Sequence, residues 1–271
     1  MDIATILGVV TAFGALLLSV VIEGGHLRSL VNVPAALIVF GGTFGATMVS
    51  MPLKLIIRLP VILKNAILGV LMEPREAIST ILELATIARR DGVLALEEHL
   101  QNVKDPFLKK GIQLVVDGTD PEIVREILET ELVKQSERHK QGSRLFMTMG
   151  GLAPTLGVTG TVMGLVHMME KLDDPSKMGP AIASAFIATL YGVASANLIF
   201  IPIANKLANR SQAELLVREM MLEGVLGLQA GLSPAILEEK LKSFLEPKLR
   251  AEQLRKAAQG EAGGAEQAKA A

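Results

Sequence analysis

The sequence predicts an all-α membrane protein with four transmembrane helices and a cytoplasmic helical domain inserted between the second and third. Half of the residues are hydrophobic and 20% are charged, so charged residues must be segregated from the apolar runs. Four runs lack Asp, Glu, Lys and Arg, and each is about as long as the ~20 residues that span a bilayer as a helix. The stretch between the second and third runs has charges throughout and no run long enough to cross.

Residues 1–53 are predicted to form a transmembrane hairpin, with spans at about 3–22 and 33–51. The first run has neither a basic segment before it nor a small-residue cleavage site after it, so we expect a retained span rather than a signal peptide. The connection 23–32 is short, which makes the two spans antiparallel. Gly41 and Gly45 are spaced as a GxxxG pair, which predicts close contact with another helix.

Residues 54–144 are predicted to form the inserted helical domain. Its opening, 54–71, places Lys54, Arg58 and Lys64 among Leu and Ile, a pattern typical of an amphipathic segment on a membrane surface. Further along, the dipeptides Asp105-Pro106 and Asp120-Pro121 each supply an N-cap followed by a proline, which predicts that two helices begin there.

Residues 145–206 are predicted to form a second hairpin that lines an ion path, with spans at about 145–169 and 180–204. These spans contain polar residues and prolines that a lipid-facing helix does not need: Pro154, Thr155, Thr159, Thr161, Thr189, Tyr191, Asn197 and Pro202. An intramembrane proline frees a backbone carbonyl, and a threonine adds a hydroxyl oxygen, so together they can offer ligands to a cation. Alternatively, neighbouring helices satisfy the freed groups and each hydroxyl bonds back to its own helix. The residues alone leave both interpretations open.

The remaining chain is predicted to hold C-terminal cytoplasmic helices over 207–250 and a disordered tail over 251–271, which lacks apolar periodicity. One of these helices should begin at Ser233-Pro234 and extend to about Leu249. Lys and Arg are frequent in 54–144, whereas the connection 23–32 has one Arg, and the two Lys of the connection 170–177 are offset by Glu170, Asp173 and Asp174. By the positive-inside tendency, the insert and both termini are therefore expected in the cytoplasm.

Composition excludes several classes of protein. There is no Cys, and the four His residues are scattered, so no disulfide, thiolate metal site or permanent metal centre is expected. The net charge of −1 does not favour nucleic acid as a partner. No catalytic or cofactor-binding motif is present, so we expect neither an enzyme nor a resident cofactor. No span contains a carboxylate, so a second chain would have to supply one for an ion to pass.

These features together resemble the MotA/PomA family of flagellar motor stator subunits, part of the MotA/TolQ/ExbB superfamily. The resemblance covers about residues 1–250. It is carried by the four spans, by the string APTLGVTGTVMGLVH over 153–167, and by the step TLYG over 189–192. Pro202 in the fourth span and the charge pattern of Arg89-Arg90 with Glu97-Glu98 fall in the same order as in that family.

The resemblance implies a homopentamer in the bacterial inner membrane, arranged around two copies of a MotB/PomB-type partner that brings the ion-binding Asp. Ion flow through this complex would produce torque on the rotor protein FliG. The residues implied for the ion path are Pro154, Thr155, Thr161, Thr189, Tyr191 and Pro202, with the two prolines coupling ion flow to conformational change. The residues implied for rotor binding are Arg89, Arg90, Glu97 and Glu98.

The coupling ion is expected to be sodium rather than a proton. Thr161 and Thr189 fall where sodium-driven relatives carry threonines, and hydroxyl oxygens are hard ligands that suit a transient, partly dehydrated Na⁺. An ExbB/TolQ-type energy transducer is the nearest alternative, although such relatives usually have three spans. A secondary transporter is a further alternative, but the sequence shows no inverted repeat.

Overall fold

The computed structural model describes residues 3–68, 72–170 and 175–245, and the secondary structure of these residues is entirely helical. The predicted disordered tail over 251–271 lies outside the described residues. The α-helices are α1 (Ile3–Ile22), α2 (Val33–Ala36), α3 (Gly42–Ser50), α4 (Leu53–Ile57), α5 (Leu59–Leu68), α6 (Pro74–Asp91), α7 (Leu96–His99), α8 (Pro106–Val116), α9 (Pro121–Met169), α10 (Pro175–Ser195), α11 (Ile201–Gln229) and α12 (Pro234–Lys242). Short 3₁₀ turns cover Leu27–Leu30, Val93–Ala95 and Leu100–Asn102, and π-helical turns cover Leu37–Gly41 and Ala196–Phe200.

Four helical segments in the described part of the chain are long and apolar enough to cross a membrane. The first is Thr5–Ile22 and the second is Leu27–Ser50, while the third and fourth lie within Pro121–Met169 and Met178–Gln229. The predicted fold class is therefore confirmed. The third span continues without a break from the charged first half of α9.

The fourth span contains a π-helical turn whose position has a physical cause. Pro202 has no N–H, and its ring crowds the carbonyl of Leu198, four residues earlier. Leu198 lies inside the π-helical turn Ala196–Phe200, where the wider winding relieves that crowding.

Among the described residues, the chain divides into two compact units, one of 3–68, 137–170 and 175–211, the other of 72–136 and 212–245. The first unit holds the four spans together with α4 and α5. Its main core is formed by Leu145, Phe146, Met149 and Ala153 of α9 with Ile56, Ala196, Phe200 and Ala204. A smaller cluster joins Ala35 and Val39 of the second span to Ala188 of α10.

The second unit differs from the predicted division into an insert over 54–144 and separate helices over 207–250. Residues of α6, α8, the first half of α9, the second half of α11 and α12 share one hydrophobic core. The unit boundaries fall near residues 70, 136 and 211 because helix packing determines them. The predicted boundaries were placed instead where each uncharged run meets its first charged residue. Residues 54–68 and 137–144 belong with the spans.

Local capping in the second unit follows the sequence. The side chain of Asp105 accepts hydrogen bonds from the N–H groups of Phe107 and Leu108 at 2.9 and 3.0 Å. Asp120 accepts one from Glu122 N–H at 2.9 Å. The predicted extent of α12 to Leu249 was wrong, since the helix ends at Lys242 and the chain turns so that Leu245 is buried in the core.

Candidate ion pathway and charged surface

The third and fourth spans approach each other through small residues. A Cβ atom built on Gly192 would lie 2.5 Å from the carbonyl oxygen of Ala153, and one built on Gly157 would lie 2.9 Å from that of Ala188. The same measure at Gly164 gives 2.8 Å to the Cβ of Ala185. These distances are shorter than any ordinary contact, so glycine is required where the two backbones meet.

The sequence missed this contact and predicted a different one. Around Gly41 and Gly45, the predicted GxxxG pair, a Cβ atom would meet nothing within 4 Å. That expectation is wrong for contacts within this chain. The spacing of Gly157, Gly160 and Gly164 was the signal that could have identified the true contact, because it repeats small residues along one face of α9.

Thr161 and Thr189 meet across this close contact. The Thr161 hydroxyl oxygen lies 3.1 Å from the carbonyl oxygen of Gly157, on its own helix, and 3.0 Å from that of Ala185, on α10. It also contacts the hydroxyl of Thr189. Both threonines are half-buried. Four oxygen atoms, two from carbonyls and two from hydroxyls, therefore converge at one place between the spans.

The other predicted pathway residues lie apart from this oxygen cluster. Pro154 is half-buried within α9, and Pro202 is exposed at the second position of α11. Thr155 is exposed and donates a hydrogen bond to the carbonyl of Leu152 at 2.7 Å, and Thr159 likewise donates to Thr155 at 3.0 Å. These two hydroxyls are satisfied by their own helix, which is the structural alternative that the sequence left open.

Tyr191 anchors the start of the second span to α10. Its hydroxyl donates to the carbonyl of Leu30 and accepts from the N–H of Asn32 at 3.1 Å. The Asn32 side chain in turn donates to the hydroxyl of Ser184 at 2.8 Å and accepts from Ala35 N–H at 2.9 Å, which caps α2. Neither Asn32 nor Ser184 was predicted to be a site residue. Asn32 could have been found as an N-cap two residues before Pro34, but nothing in the sequence pairs it with Ser184.

The spans carry no acidic side chain in the part that the structure describes. Nor do the described residues contain a group of three His, Asp or Glu that could hold a metal ion. Oxygen ligands between α9 and α10 are thus neutral carbonyls and hydroxyls, which can solvate a monovalent cation but cannot bind and release a proton near pH 7.

The charged residues predicted to contact a rotor lie at the end of α6 and on α7. Arg89, Arg90, Glu97 and Glu98 are all exposed. Arg90 is not free, because it donates from Nε at 3.0 Å and from Nη2 at 2.7 Å to the carboxylate of Asp91. That hydrogen bond lowers the pKa of Asp91 and raises the pKa of Arg90. Within the described residues, Arg89, Glu97 and Glu98 form no ion pair.

Comparison with known proteins matches both halves of the chain. Residues 99–220 match the MotA/TolQ/ExbB proton channel family, and residues 6–92 match the family described as motility protein A N-terminal. The chain is 40% identical over 257 residues to motility protein A of Borreliella burgdorferi, covering 93% of this chain and 97% of the relative. It is 38% identical over 251 residues to the chemotaxis protein PomA of Vibrio alginolyticus, covering 93% and 98%.

Solved structures agree. A chain of C. jejuni MotAB superposes with a TM-score of 0.87 at 32% identity, covering 91% of this chain and 97% of that one. The flagellar MotAB stator complex of Bacillus subtilis gives 0.86 at 36% identity, covering 92% and 98%. These relatives are motor proteins and not enzymes. The resemblance seen in the sequence is confirmed: the chain belongs to the motility protein A family.

Proposed function

We propose that this chain is the channel-forming subunit of a flagellar motor stator and that it works with a MotB/PomB-type partner. The observation that carries the proposal is the cluster of neutral oxygens around Thr161 and Thr189, in spans that hold no carboxylate where the structure describes them. Such a cluster can assist an ion but lacks the charged group that binds it. The partner supplies an Asp from its own transmembrane helix, and no cofactor is needed besides the transported ion.

We further propose that sodium is the coupling ion. A hydroxyl or carbonyl oxygen can replace a water of hydration around Na⁺. The Thr161 hydroxyl already lies about 3 Å from two carbonyl oxygens, at 3.1 and 3.0 Å. A small rotation of the Thr161 or Thr189 side chain would turn its hydroxyl oxygen away from these partners and toward a cation that the partner's Asp holds.

The assembled complex is proposed to be a ring of five copies in the bacterial inner membrane, with both termini in the cytoplasm. Apolar side chains such as Val158, Val162, Phe186 and Val193 are exposed on the third and fourth spans of the single chain. Contiguous apolar faces of this kind need lipid or protein against them. Copies of this chain and the partner helix would cover part of that surface.

Torque is proposed to pass from this complex to the rotor protein FliG through the exposed charges of α6 and α7. Arg89, Glu97 and Glu98 are free to pair with charges on another protein. Complementary charges across such an interface guide its formation more than they stabilise it. Charge reversal at Glu98 should therefore weaken rotor engagement and leave folding unchanged.

The function is tested by motility and ion dependence together. In cells without a stator of their own, this chain with its partner should restore rotation, whereas this chain alone in liposomes should conduct neither Na⁺ nor H⁺. With Thr161→Val or Thr189→Val, the sodium concentration for half-maximal speed should rise by roughly fivefold to tenfold, the equivalent of one hydrogen-bond-sized interaction. Thr159→Val is the matched control, because its hydroxyl bonds only within its own helix.

Two outcomes would contradict the proposal at different levels. Saturable conduction by this chain alone would refute the need for a partner's carboxylate. Rotation whose speed is independent of sodium from micromolar concentrations upward, while it follows external pH, would refute sodium coupling and leave the stator function intact.

A further inference from the structure

Helices α4 and α5 follow the second span directly and are fixed in rotation about their axes. Ile56 is buried in the cluster formed by Leu145 and Phe146 of α9, and Leu59 and Ile62 pack against the same cluster. One face of the segment is therefore occupied, and the direction of the opposite face is determined.

The opposite face exposes a continuous apolar stripe. Leu53, Ile57 and Val61 are spaced one helical turn apart and are 62%, 68% and 58% exposed. Exposing large apolar side chains of this kind to water is energetically unfavourable. Something apolar is expected to cover them.

Basic side chains border the stripe, and no acidic side chain is near in sequence. Lys54 and Arg58 lie one turn apart beside Ile57, and Lys64 follows one turn after Val61; all three are exposed. The sequence from residue 24 to residue 72 contains no Asp or Glu. No ion pair within the described residues compensates these three cations.

The position along the chain identifies what lies against this face. Leu53 is three residues after Ser50, the last residue of α3, so it is at most about 11 Å from the end of the span. The headgroup layer on each side of the hydrocarbon core is about 5–8 Å thick. The start of α4 therefore lies in or next to the headgroup layer, where an apolar stripe meets acyl chains and the flanking cations meet phosphates.

We propose that this face of α4 and α5, formed by Leu53, Ile57, Val61, Lys54 and Arg58, is a binding site for anionic phospholipid. Zwitterionic lipid would satisfy the apolar stripe equally well, but it brings no net charge to the two adjacent cations. Near a membrane surface, each Lys or Arg favours anionic lipid roughly fivefold. An acidic protein surface is the competing occupant, and it would shield the face from lipid.

The chain contains no Trp, so a single introduced Trp reports on the lipid next to it. The test is Trp fluorescence of the full-length Ile57→Trp chain in vesicles of dibromo-phosphatidylglycerol mixed with unbrominated phosphatidylcholine, and in the converse mixture. We expect the anionic lipid to be favoured at this position by at least about threefold. The ratio of anionic to zwitterionic lipid next to the Trp should fall toward one in the double variant Lys54→Gln/Arg58→Gln and should stay high in Lys54→Arg/Arg58→Lys. It should also decrease as the salt concentration is raised.

Val10→Trp supplies the matched control, since Val10 is 63% exposed on α1, a helix without charged residues. There the two lipids should quench equally. Leu53→Trp is a second probe of the site should Ile57→Trp fail to insert. Equal quenching by both lipids at Trp probes of the site overturns the proposal, as does quenching by neither lipid, which would mean that protein covers the face.

Discussion

Gly192→Ala is the sharpest test of the contact between the third and fourth spans. The added Cβ would lie 2.5 Å from the carbonyl oxygen of Ala153 and 3.0 Å from the Cα of Gly157. Both atoms belong to the backbone of α9 and cannot rotate away. Ordinary van der Waals contact begins near 3.4 Å, so α10 would have to move by about 0.9 Å, which is 3.4 minus 2.5.

The energetic consequence follows from two opposing effects. Overpacking of a well-packed interface costs about 1–3 kcal/mol, and rigid backbone places this case near 3. Replacing Gly with Ala within a helix returns roughly 0.5–1 kcal/mol. We therefore expect a net loss of about 2 kcal/mol, together with a wider gap between Thr161 and Thr189.

The assay is thermal unfolding of the purified chain in detergent, followed by rotation speed in cells. Gly151→Ala is the matched control, because it makes the same substitution in α9 where a Cβ would meet nothing within 4 Å. Gly192→Ala should unfold at a clearly lower temperature than Gly151→Ala and should slow rotation further than its lost stability explains. Equal unfolding temperatures for the two variants would show that the backbones are not in close contact.

Three further predictions concern the polar groups. Removing Asn32 and Ser184 together should cost less than the sum of the separate Ala substitutions, with a coupling of about 0.6–1.5 kcal/mol in a double-mutant cycle of unfolding, because they share one hydrogen bond. Hydrogen bonding from Lys240 lowers the pKa of Glu223 in the folded chain. The ionised Glu223 therefore stabilises the fold fully above the pKa of the unfolded chain, about 4.3, and this stabilisation is lost as pH falls through the lower pKa of the folded chain. Unfolding measured against pH should therefore show a weaker acid dependence for Glu223→Gln. Asp91→Asn should leave the unfolding temperature unchanged because its ion pair with Arg90 lies on the surface, and a drop of several degrees would contradict this.

The parts of the fold that the sequence predicted are those determined locally. The four spans follow from the absence of charge over about 20 residues, since a bilayer allows little else for such a run. The N-caps at Asp105 and Asp120 depend only on two or three residues following in the chain.

The parts that the sequence did not predict depend on which helices pack together. Gly41 and Gly45 have the same spacing as Gly160 and Gly164, yet only the latter pair meets another helix within 4 Å. The shared core of 72–136 with 212–245 joins segments about 80 residues apart, and charge patterning does not reveal that pairing. Asn32 and Ser184, which share a hydrogen bond, are 152 positions apart in the sequence, so patterns of neighbouring residues do not predict that bond either.

The glycines and threonines of the third and fourth spans form a single functional requirement. Thr161 is within 3.0 Å of the carbonyl oxygen of Ala185 only because α9 and α10 approach through Gly157, Gly164 and Gly192. A side chain at any of these glycines would separate the helices and disperse the oxygens before it touched an ion. Under the proposed function, sodium affinity therefore depends on residues that never contact sodium.

Gly164→Ala should consequently shift the sodium dependence of rotation in the same direction as Thr161→Val, whereas Gly151→Ala should leave it unchanged. Sodium dependence that is the same in Gly164→Ala as in the parent would show that the oxygen cluster is held by other contacts.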